Sequence, residues 1–155
     1  MRLAEWMVHS LKPLVGEQHV VPRAFAFEQM AIYQRALQLV KRLYEVAESI
    51  ERPSGVVTAD HLRRAALMVL SGVAGADGER DGAWERLEEA RVATSRCVSF
   101  LQLFAELGEL DPDVYVWCYE ECLEFSAMLE HLLRGCGDST DRGRADAREV
   151  RRRWS

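Results

Sequence analysis

The chain has 155 residues, 48% of them apolar and 29% charged, and a net charge of −5. That length holds one continuous core, and that balance excludes wholesale disorder. The longest apolar runs fall far short of the roughly 20 residues that span a bilayer. The opening Met1-Arg2-Leu3-Ala4-Glu5 lacks a sustained apolar stretch before a cleavage site, so a cytoplasmic location is expected.

Residues 1–24 read as an N-terminal extension, a short amphipathic pattern of Leu3, Trp6, Met7 and Leu11 interrupted by Pro13, Gly16 and Pro22. The first predicted bundle helix starts near Phe25 and ends near Arg52, ahead of the breaker cluster Pro53-Ser54-Gly55. Its seam, Ile32, Ala36, Leu39, Leu43, Val46 and Ile50, alternates steps of four and three. That spacing keeps one stripe of a helix facing a partner and is useless to a strand. Thr58 is the expected N-cap of a second helix running to about Ala76 with the seam Leu62, Ala66, Val69 and Val73. Its glycine-rich end, Gly72 to Gly78, follows a helix and lacks the Lys-Ser/Thr of a phosphate loop, so it reads as close helix packing.

A polar turn, Asp77 to Gly82, leads to a third helix from about Ala83 with the seam Ala83, Leu87, Ala90, Thr94, Cys97, Leu101 and Phe104. Gly108 is placed to close it in the left-handed conformation. Asp111-Pro112 then supplies an N-cap and a first helical residue. The fourth seam is Tyr115, Cys118, Cys122, Phe125, Leu129 and Leu132, and that helix is expected to end near Arg134. Beyond it the chain is Gly-, Asp- and Arg-rich and aperiodic until Arg148, which predicts a flexible tail with a short helix at 145–153. The division is therefore extension 1–24, bundle 25–135 and tail 136–155. Short connections predict an all-α, antiparallel up-down-up-down four-helix bundle.

A second apolar stripe runs beside the first: Tyr33, Leu37, Val40, Tyr44 and Ala47, then Phe100, Leu103 and Leu107, then Val114 and Trp117. Two readings are open. Facing water, it is an association patch, with Tyr33, Leu37, Tyr44, Phe100, Leu103 and Trp117 at a homo-oligomer interface. Turned inward, it is the flank of a wide core-facing stripe.

Residues 25–133 hold ten Lys and Arg against nineteen Asp and Glu, a local charge of −9, whereas both ends are basic. Such a body repels phosphate backbones over its general surface, so any nucleic-acid contact must be local. Lys41 and Arg42 with Arg63 and Arg64 form a candidate basic spot for RNA, DNA or a partner protein. Ordinary pairing with Glu45, Glu48 or Asp60 is the competing reading. Arg151, Arg152 and Arg153 form a second cluster, suited to an anionic groove or simply solvated.

Cys97, Cys118 and Cys122 invite a thiol metal site, but all three lie on core seams, where a thiol packs as a small apolar group. Glu130-His131 is adjacent rather than spaced by three, so the di-iron pattern is missing. No serine or cysteine has a credibly placed histidine partner. No catalytic residue, metal or cofactor is expected.

Tyr33-Gln34-Arg35-Ala36 with Leu39-Val40 and Tyr44, Leu62-Arg63-Arg64-Ala65-Ala66, Ser71 with Val73-Ala74, Ala90-Arg91, and Glu106-Leu107-Gly108 with Leu110 follow one another in a telling order. In these residues the chain resembles the small bacterial four-helix-bundle proteins called 23S rRNA intervening-sequence proteins, over roughly residues 25–134. That family includes the accessory variability determinant of diversity-generating retroelements, a pentameric barrel that binds a reverse transcriptase and nucleic acid. The resemblance implies a homopentameric, non-enzymatic scaffold for a nucleic-acid-handling partner such as a reverse transcriptase or ribonucleoprotein, with Arg63, Arg64 and Arg91 as retained basic positions. The chain departs from the family at Leu70-Ser71-Gly72-Val73-Ala74-Gly75-Ala76, where the family usually has Pro-Ser-Asn-Ile-Ala-Glu-Gly, and in its acidic body. The alternative is an acidic protein-interaction scaffold without nucleic-acid contact.

Overall fold

A computed structural model describes the backbone of residues 25–50, 53–76 and 82–153 and the side chains of 25–50, 56–76 and 82–136. The expected N-terminal extension lies outside the described residues. Four α-helices follow a single 3-10 turn at Ala26–Gln29: α1 (Ala31–Ser49), α2 (Pro53–Gly75), α3 (Ala83–Glu106) and α4 (Pro112–Arg153). No strand occurs among the described residues. Each helix packs on the next and α4 packs back on α1, which makes a four-helix bundle.

The seams build its core. Every seam residue of α1 and α2 is buried, and so are Leu87, Ala90, Thr94, Cys97, Leu101 and Phe104 of α3 and Cys118, Cys122, Phe125 and Leu129 of α4. Thr94 is tolerated there because its hydroxyl donates to the Ala90 carbonyl at 2.8 Å, leaving no buried donor unpaired. At the seam ends, Ala83 and Tyr115 are only half-buried. The fourth seam also changes phase, since Leu132 is 36% exposed and Leu133 takes the core place at 9%. A straight helix of 3.6 residues per turn drifts about 20° per heptad from a strict seven-residue repeat, enough to pass the role to the next residue.

Helix boundaries differ from expectation where capping chemistry outweighs periodicity. Met30 is extended (φ −70°, ψ 128°) and separates the 3-10 turn from α1, so the first helix opens later than Phe25. Glu28 stabilises that turn by accepting the Phe25 N–H at 3.1 Å, and Phe27 packs edge-on to Tyr33 at 4.8 Å. Pro53 opens α2 instead of breaking it, and Thr58 lies inside the helix. Proline suits the first helical position because the missing N–H would have no partner there. Gly108 (φ 68°) closes α3 as expected. Its N–H donates to the Ala105 carbonyl at 3.0 Å and that of Glu109 to Phe104 at 2.9 Å, the two bonds of a Schellman end. Asp111 caps α4, its Oδ1 accepting the Asp113 N–H at 2.9 Å. The backbone of α4 stays helical to Arg153, well past Arg134.

A close helix approach lies where Gly72 of α2 meets α3. A Cβ on Gly72 would stand 2.8 Å from the Arg86 carbonyl oxygen and 3.1 Å from the Ala90 Cβ, so only glycine fits this crossing without displacement.

Candidate interaction surface

The five candidate cations of the body sit on three helices, and three are held by acids three positions away. Arg63 donates to Asp60 at 2.6 Å and Arg42 to Glu45 at 2.8 Å. Arg91 donates through Nε to Glu88 at 2.7 Å and through Nη2 to the other carboxylate oxygen. That hydrogen bond holds the Glu88 carboxyl below its ordinary range and raises Arg91. Arg42 also lies 4.8 Å over the Trp117 ring, so its guanidinium is turned toward α4. Lys41 and Arg64 are exposed and make no ion pair among the described residues. Arg151, Arg152 and Arg153 ride on the last turn of α4, and their side chains lie outside the described residues.

The second stripe divides between the two readings. Val40 and Ala47 are buried, and Tyr33, Tyr44 and Phe100 are half-buried against the bundle's own core. Leu37, Leu103, Leu107, Val114 and Trp117 remain exposed. His61 stacks on Phe100 with centroids 6.0 Å apart. Two other exposed apolar rows were not singled out from the sequence: Val57, Leu67 and Met68 on α2, and Val116, Tyr119 and Leu123 on α4. A shallow cleft of about 300 Å³ between α2 and α3 is lined by Met68, Trp84, Val92 and Arg96, with Glu85, Glu88 and Glu89 at its rim.

Charge is unevenly shared. The described part of α4 carries Asp113, Glu120, Glu121, Glu124 and Glu130 against Arg134, whereas α2 carries Arg63 and Arg64 against Asp60. Arg35 of α1 draws two of the α4 acids across the bundle, reaching Glu121 at 3.1 Å and Glu124 at 2.8 Å.

Cys97, Cys118 and Cys122 are buried in the core with free thiols. Burial pushes Cys118 up to about 11 and Cys122 to about 12, and raises Cys97 further, so all three are protonated at neutral pH. No group of three or more His, Cys, Asp or Glu among the described residues is arranged to hold a metal ion. No helix of the described residues is long and apolar enough to cross a membrane.

Compared with known proteins, the chain matches no protein-family model and none of the curated proteins.

Proposed function

We propose that this chain is a non-enzymatic scaffold, an up-down-up-down helical bundle that assembles with copies of itself and docks a protein partner. The observation that carries this reading is a closed core accompanied by large apolar side chains left in water on all four helices, among them Leu37, Met68, Leu103, Trp117 and Leu123. Where such side chains adjoin, they form the kind of surface that association sites use. The up-down order is supported by register. Gly72 lies near Arg86 and Ala90 while His61 lies by Phe100, and Arg35 reaches Glu121 and Glu124 while Arg42 covers Trp117.

The family resemblance adds a ring of five copies in the cytoplasm and a reverse transcriptase or ribonucleoprotein as the partner. Local pairing of Arg42, Arg63 and Arg91 supports a partner held by apolar contact rather than through phosphates. Labelled single-stranded RNA and DNA titrated with the protein at rising ionic strength test this point. The expected result is no binding at any salt. Binding at low salt that falls steeply as salt rises would assign the contact to nucleic acid, with Lys41 and Arg64 as the first candidates.

A further inference from the structure

We infer that copies of this chain join head to tail, the outward face of α2 on one copy seated on the outward face of α4 on the next. This rests on the self-assembly proposed above and names the surfaces that carry it. In the bundle α2 packs on α1 and α3, and α4 packs on α3 and α1, so α2 and α4 occupy opposite corners. Each turns an unpartnered apolar row outward. On α2 it is Val56, Val57 and Leu67, the second 65% exposed, and on α4 it is Val116, Tyr119 and Leu123, the last 59% exposed. The α4 row repeats at steps of three and four, a stripe that a partner helix can cover, while the α2 side chains stand at the two ends of an outward face about three turns long.

Charge decides which partner fits. Arg63 is held by Asp60, and Glu121 and Glu124 are held by Arg35. That leaves Arg64 on the α2 face, and Asp113 and Glu120 on the α4 face, without an ion pair among the described residues. The two faces are thus apolar, of opposite sign, and carried by one molecule on opposite sides. A symmetric contact would bring the acidic α4 face against a second acidic α4 face, or the α2 face with Arg64 against its like, and like charge across a closing interface opposes it. Joining α2 to α4 puts Arg64 opposite the acids and covers both rows at once. Because the two faces differ, the contact is heterologous, which closes into a ring or extends as a filament.

Charge reversal on the full chain tests the assignment, with mass read by sedimentation velocity and folding by circular dichroism. Arg64→Glu and Glu120→Arg are surface changes and should leave the helical signal unchanged, with any fall in melting temperature no larger than lost association accounts for. Each alone should weaken association by about tenfold or more, and both in one chain should restore the wild-type mass. Failure of the combined variant to recover would overturn the α2–α4 contact, and so would single variants that assemble like wild type. A wild-type chain that sediments as one copy would instead remove the self-assembly on which the inference stands.

Discussion

Replacing Gly72 with alanine probes the close approach of α2 and α3. The added Cβ would meet the Arg86 carbonyl oxygen at 2.8 Å and the Ala90 Cβ and backbone nitrogen at 3.1 Å. Two of these three atoms belong to the α3 backbone, so no rotamer change relieves the contact and the helices must move apart. Overpacking of this kind costs about 1–3 kcal/mol, while exchanging glycine for alanine inside a helix returns about 1 kcal/mol. The net expectation is a loss of up to about 2 kcal/mol, a fall in melting temperature of up to roughly 8 °C for a chain of this size. Gly75→Ala is the control, because its Cβ would stand 3.4 Å from Arg86 Cδ, the flexible part of a side chain. That variant should gain about 0.5 kcal/mol. Urea unfolding followed by circular dichroism at fixed protein concentration reads both. A Gly72→Ala protein that gains stability as the Gly75→Ala control does would refute the close approach of α2 and α3.

Other perturbations separate core, caps and thiols. Phe104→Ala removes a fully buried ring and should cost about 3–5 kcal/mol, read by the same melts. Gly108→Ala meets no atom within 4 Å, so its loss of about 1–2 kcal/mol comes from left-handed backbone alone. Asp111→Ala takes the cap from α4 and should cost about 1 kcal/mol. Cys118 and Cys122 have folded pKa values near 11 and 12, above the ordinary thiol value of 9.0. The folded state therefore holds protons that the unfolded chain releases above pH 9, and stability should decline from there toward pH 12. A Cys118→Ala, Cys122→Ala protein should show a shallower decline in urea melts across that range.

The core was legible in the sequence because burial on a helix leaves a periodic trace. Ile32 to Ile50 and Leu62 to Val73 are buried position for position. The caps were equally readable where one residue type has one mechanism, as at Gly108 and Asp111. Pro53 misled because proline both ends helices and opens them, and only the chain's path distinguishes the two. The surface was harder to read. Periodicity gives a stripe its phase but not the neighbour it faces, so Val40 and Ala47 turned inward while Leu37 in the same stripe stayed in water. Val116, Tyr119 and Leu123 alternate with acids and sit beside the cysteine seam, where a single helix offers two phases at once. The direction of Arg42 depends on Trp117, 75 residues away in sequence, which no local pattern encodes.

The claim most exposed to test is that the apolar side chains left outside this bundle hold copies together. Light scattering on the full-length protein as it elutes from a sizing column measures this directly. The account predicts a mass that is a multiple of 17.7 kDa, five copies if the family resemblance extends to assembly. A steady 17.7 kDa at every concentration loaded would contradict it and leave the exposed rows of α2 and α4 without a role.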